Sequence, residues 1–153
     1  MMYYLAIVLP LVFAQVLADT PVTQCDKGVL PTSVIVSNVG KEPCTTSPCP
    51  IDPSGSIEMY LNFTTPIYME SPYQQVYVDL LGMNYPFIDH DGCKNLQNTV
   101  CPLPEGEDVQ YHFSMSLPSK LPEVTVGLRV YLQPDESTTE AAVCFGVSVK
   151  IVS

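Results

Sequence analysis

Apolar and polar residues alternate with a period of two along most of this chain, and that pattern decides the fold class. Ile57, Met59, Leu61 and Phe63 alternate with Glu58, Tyr60, Asn62 and Thr64. The same pattern runs through Val76-Val78-Leu80, Val109 to Leu117, Val124 to Leu132 and Val143 to Ile151, with a shorter strand expected over roughly 28–39. Successive side chains on a strand point to opposite faces, so each of these segments buries one face and wets the other. No segment keeps a helical period for three turns. Turn signals separate the strands: Pro43 to Pro53, Thr65-Pro66, Asp91-Gly92, Pro102 to Gly106, Pro118 to Pro122 and Gln133 to Thr139. Together they predict an all-β sandwich of two antiparallel sheets with about seven strands.

The first eighteen residues follow a different rule. Met1 to Ala18 holds sixteen apolar residues, with only Pro10 and Gln15 excepted. The run falls short of the roughly 20 residues that a membrane span needs, and Val16-Leu17-Ala18 offers a small-residue cleavage pattern. It reads as a signal peptide cleaved after Ala18, which leaves one domain over 19–153 and a secreted or lumenal product. The chain has 153 residues and a net charge of −10, from 6 basic and 16 acidic side chains. Such a balance excludes a phosphate-backbone binder, because nucleic acid needs a basic face.

Six cysteines, Cys25, Cys44, Cys49, Cys93, Cys101 and Cys144, fit an oxidising compartment and three disulfides. Fifteen pairings exist for six cysteines. Loop lengths favour Cys44 with Cys49 and Cys93 with Cys101, which leaves Cys25 with Cys144. The spacing lacks the clustered pairs of a metal site.

Nothing in the sequence assembles a catalytic constellation. There is no GxSxG elbow, HExxH helix, P-loop or GxGxxG. His90 lies in Asp89-His90-Asp91 and reads as a solvated turn; His112 falls on the polar face of its strand and reads as exposed. No acidic pair has a recognisable acid/base arrangement, so the chain is expected not to be an enzyme and to need no cofactor. Asn62-Phe63-Thr64 is the one glycosylation sequon, and strand phase points Asn62 outward. The inner faces mix Val, Leu and Ile with Met59, Phe63, Phe113, Met115 and Phe145. Alternation fits either a filled core or an apolar cavity between the sheets, and adaptable methionines suit the latter.

The residues carry a family resemblance. Glu42-Pro43-Cys44 with Ser47-Pro48-Cys49, Asp91-Gly92-Cys93 with Cys101-Pro102, Leu117-Pro118, Leu132-Gln133 and the terminal Val149-Lys150-Ile151-Val152-Ser153 resemble the ML, or lipid-recognition, domain family. The chain looks most like its Niemann-Pick type C-two-like branch, with the arthropod relatives. This resemblance implies an immunoglobulin-like sandwich with cysteines paired first to sixth, second to third and fourth to fifth. It also implies sheets that splay around a hydrophobic pocket. Its expected lining is Met59, Leu61, Phe63, Val78, Leu80, Tyr111, Phe113, Met115, Val126, Leu128, Val130, Phe145 and Val147. Tyr85 and Phe87 would stand at the mouth, with Ser119 and Leu121 on the opposite rim. Sterol carriers have bulkier groups on that rim, which leaves room here for fatty acids or other small amphiphiles.

The function so implied is a secreted, non-enzymatic carrier of a fatty acid, sterol or semiochemical. It is expected to be a monomer that touches membranes or receptors transiently, in the extracellular space or a lysosomal lumen. A second reading is an innate-immune lipid-recognition co-receptor. That one needs a protein-binding rim, and no exposed apolar run in the sequence supplies it.

Overall fold

The computed structural model describes residues 18–79, 82–84, 88–118 and 120–152. Among the described residues nine strands run in the order β1 Thr23–Gln24, β2 Ser33–Asn38, β3 Cys49–Ile51, β4 Ser56–Thr64, β5 Tyr73–Val78, β6 Met83–Asn84, β7 Asp108–Ser116, β8 Thr125–Gln133 and β9 Val143–Ile151. One 3-10 turn covers Gly92–Asn95. Six strands have six or more residues; the other three are short additions at sheet edges, so the count exceeds the expected seven.

Two sheets face each other. The larger has the order β1-β9-β8-β5-β6, and the smaller β2-β4-β7. Pairing is antiparallel except where β3 runs parallel to β9, Cys49 opposite Val149 and Ile51 opposite Ile151. Sequence punctuation had assigned this stretch to a turn. Pro50 is tolerated because β3 is an edge that pairs on one side only. β1 and β3 thus share the outer edge of β9, one covering each half. The strand expected over 28–39 shortens to β2, with Val29 making only an isolated bridge to Val143.

Alternation sets the phase as the sequence predicts. Along β4, Ile57, Met59, Leu61 and Phe63 are buried, and along β7, Val109, Tyr111, Phe113 and Met115. Register places Met59 opposite Phe113 and Leu61 opposite Tyr111 in one sheet, and Val130 opposite Phe145 in the other. These faces close on each other to form the core. Cys25 pairs with Cys144, Cys44 with Cys49 and Cys93 with Cys101, with Cα separations of 5.8, 5.7 and 5.7 Å.

Candidate functional site

The two halves of the sandwich are filled differently. Towards one end the aromatic rings interlock. Phe63 and Tyr111 lie 6.4 Å apart, and Tyr111 meets Phe113 edge-on at 6.1 Å. A buried polar cluster seals this end. The Tyr111 hydroxyl donates to Gln74 Oε1 at 2.6 Å, and Asn95 Nδ2 donates to the Tyr111 hydroxyl at 3.1 Å. Burial holds the Tyr111 phenol well above its ordinary pKa, so it remains a neutral donor. Gly92 is required beside it, because a Cβ there would lie 2.5 Å from the Pro72 carbonyl and 3.0 Å from the Tyr111 hydroxyl.

Towards the other end the described residues of the inner faces are aliphatic apart from Met115, and they leave space. A cavity of about 200 Å³ opens there, lined by Val78, Met115, Leu117, Pro118, Leu121, Pro122, Val124, Val126, Leu128, Val149 and Ile151. Its floor comes from the ends of β5, β7 and β9 and the start of β8. Val78, Met115, Leu128, Val149 and Ile151 are buried, whereas Leu117, Leu121, Val124 and Val126 are half-buried around the opening. The rim is the β7–β8 connection, where Pro118 and Pro122 fix φ and interrupt strand pairing. Among the described residues the lining carries no ionisable group, nucleophile or polar side chain. Such a lining can hold an apolar body by excluding water. The volume exceeds the roughly 150 Å³ of an engineered apolar cavity that takes up benzene. It falls below the roughly 300 Å³ at which drug-sized ligand pockets begin. A larger open groove of about 680 Å³ beside Cys25–Cys144 has polar walls, among them Lys27, Arg129 and Glu140. Of its charged side chains, Arg129 pairs with Asp79 at 2.7 Å and Lys27 with Glu140, and Asp26 also lines it.

Of the residues that sequence assigns to a pocket, Val78, Met115, Leu121, Val126 and Leu128 come together around the cavity. Met59, Leu61, Phe63, Tyr111, Phe113, Val130, Phe145 and Val147 are buried in the core and do not line it. Leu80, Tyr85, Phe87 and Ser119 lie outside the described residues, as do residues 1–17 of the expected leader. The structure adds Leu117, Pro118, Pro122, Val124, Val149 and Ile151. Val149 and Ile151 continue the alternation that marks Phe145 and Val147, so the same signal reaches them. Asn62 is exposed on the outer face of β4.

Both histidines are more enclosed than the sequence suggests. His112 stacks on Tyr60 at 4.2 Å, and its Nε2 stands 3.6 Å from Glu58 Oε1. His90 stacks on Tyr73 at 4.7 Å, with Nδ1 2.6 Å from the Gln74 carbonyl. Among the described residues, no group of three or more His, Cys, Asp or Glu could hold a metal ion.

A sandwich with an aliphatic cavity at one end and these three disulfides can be compared with known proteins. The sequence matches the ML-domain family over residues 19–151. The chain belongs to the ML-domain family. In mouse, the NPC intracellular cholesterol transporter 2 is 24% identical over 121 residues, which is 78% of each chain. The crystal structure of a Niemann-Pick type C2 protein from Japanese carpenter ant superposes with a TM-score of 0.71 at 18% identity, covering 86% of this ML chain and 99% of the ant chain. The C-terminal domain of wzt shares the fold more distantly, with a TM-score of 0.55 at 10% identity over 80% of this chain and 72% of that one. At these identities the structures establish a common fold. The expected Niemann-Pick C2-type immunoglobulin-like sandwich and its disulfide pairing are what this chain has.

Proposed function

We propose that this ML-domain chain is a non-enzymatic carrier that takes an apolar ligand into the cavity between β7, β8, β9 and the end of β5. The observation that carries this reading is the cavity lining. Its described residues are all apolar, and it lies between the sheets and opens at one end. Each 100 Å² of apolar ligand surface removed from water there is worth roughly 2.5 kcal/mol before association costs. With no polar anchor among the described lining residues, the ligand's headgroup stays at the mouth, near Lys120 and the rim that the family resemblance gives to Tyr85, Phe87 and Ser119. The mouse relative's name specifies cholesterol; the size of this cavity favours a single hydrocarbon chain, such as a fatty acid or a small semiochemical.

Three disulfides and a cleavable leader suit the extracellular space or a lysosomal lumen. Among the described residues no helix is long and apolar enough to cross a membrane. Mass spectrometry of organic extracts from the secreted protein tests the reading. A stoichiometric fatty acid or sterol is the expected result. Extracts with no lipid, from protein that also fails to take up fluorescent fatty acid or sterol, would contradict it. Phe87→Ala is expected to weaken uptake of either probe while the fold persists.

A further inference from the structure

Acidic charge and, among the described residues, exposed apolar side chains concentrate at the end of the sandwich away from the cavity. Segments 25–32, 65–72, 88–108 and 134–141 close that end, leading into β2, β5, β7 and β9. They hold ten of the sixteen acidic residues and two of the six basic ones. Those two bases are already engaged: Lys27 pairs with Glu140, and Lys94 stands 3.0 Å from Asp89 and 3.5 Å from Asp91. The segments of the cavity end, 39–55, 117–124 and 150–152 together with Asp79, hold four acids and three bases, which nearly cancel.

Five of the seven large apolar side chains exposed among the described residues also belong to the acidic end: Val29, Leu30, Ile67, Tyr68 and Val100. Tyr68 is 55% exposed and Val100 77%. No one stretch of sequence shows this surface, because separate loops contribute to it. Its base is fixed. Met69 and Leu103, both fully buried, exchange backbone bonds of 2.9 and 2.8 Å directly beside Ile67-Tyr68, and Cys93–Cys101 ties the segment that carries Val100. Exposed apolar groups on a rigid base, at an end with a large excess of acidic charge, are what an interface presents before its partner arrives.

We propose that this acidic end is a docking surface for a protein whose complementary face is basic around an apolar centre. Opposite charge steers such a partner and repels anionic surfaces, and Tyr68 is the type of side chain that anchors interfaces. The cavity mouth lies at the other end, so both can be occupied at once. The inference goes beyond the carrier reading and does not depend on which ligand the cavity holds.

Amide NMR of the full domain tests it, titrated with an amphipathic helical peptide of lysine and leucine and with the same pattern built from glutamate and leucine. The lysine peptide is expected to shift Ile67, Tyr68 and Val100 and to weaken as salt rises. The glutamate peptide is expected to shift nothing. The triple variant Ile67→Ser, Tyr68→Ser, Val100→Ser should lose affinity by roughly tenfold or more, as truncated interface anchors do. Asp135→Asn with Glu136→Gln should weaken it separately, and near-UV circular dichroism should match the parent for both variants. Shifts centred on Leu121 and Val126 would overturn the proposal. So would equal binding by the triple variant, equal binding of the glutamate peptide, or shifts of Ile67, Tyr68 and Val100 on adding phosphatidylserine vesicles without peptide.

Discussion

Tyr111 on β7 and Gln74 on β5 join the two sheets through a 2.6 Å hydrogen bond between buried side chains. That bond and the aromatic rings beside it close one end of the sandwich, while aliphatic residues leave the other end open. Tyr111→Phe should leave Gln74 Oε1 with only the longer bond from Asn95 Nδ2, at 3.3 Å. The expected cost is about 1–3 kcal/mol in urea unfolding, with uptake by the distant cavity unchanged.

Gly92 is a second test of the sealed end. Adding a methyl group drives it into the Pro72 carbonyl at 2.5 Å, a backbone atom that cannot swing away. Gly92→Ala should destabilise by about 1–3 kcal/mol through forced displacement of the chain. An unchanged unfolding midpoint would show that the approach of these segments is looser than described.

The disulfides should differ in weight. Cys25–Cys144 spans a separation of 119 residues and Cys44–Cys49 one of 5. In the chain-entropy model, serine replacement of the first pair costs roughly 5 kcal/mol and of the second roughly 2 kcal/mol. Equilibrium unfolding of the two double variants would measure the difference, and the reverse order would contradict the account.

Two surface turns should titrate low. Asp135 accepts hydrogen bonds from the Ser137 and Thr138 hydroxyls and amides, and these hold its pKa below the ordinary 3.8. Asp89 is held low first by the Asp91 amide and then by Lys94. A depressed folded pKa means that each carboxylate's contribution is complete above the unfolded value and is lost as pH falls through the folded one. Carboxyl-carbon NMR titration should find both midpoints below 3.8. Asp135→Asn should flatten the loss of stability that its own protonation causes in that acid window.

Strand phase was legible in the sequence because a period of two is a local property. Met59 and Leu128 are both recognisable as inner-face residues, yet only Leu128 borders the cavity. What separates them is position along the sandwich, set by cross-strand register and by which rings pack opposite. The aromatics Phe63, Tyr111, Phe113 and Phe145 fill the core, and the valines and leucines nearer the β7–β8 turn do not fill their end. That distinction needs two sheets placed face to face, which no single strand encodes. His112 shows the same limit: its alternation marks the outer face, but the stacking of Tyr60 across β4 and β7 decides how exposed it is. The short parallel strand Cys49–Ile51 was hidden by Pro50, whose turn-forming character also suits an edge.

The central claim is that an apolar ligand occupies the aliphatic end and not the aromatic one. Titration of a fluorescent fatty acid into the parent, Val126→Trp and Phe63→Ala measures it directly. Val126 is half-buried at the cavity opening, so tryptophan there occupies the ligand's space. Phe63 is 2% exposed in the closed core, and its truncation should cost about 3–5 kcal/mol of stability without touching the cavity. The account predicts saturable one-to-one binding to the parent, loss of binding in Val126→Trp, and parent-like affinity in folded Phe63→Ala. Undiminished binding by Val126→Trp would contradict it.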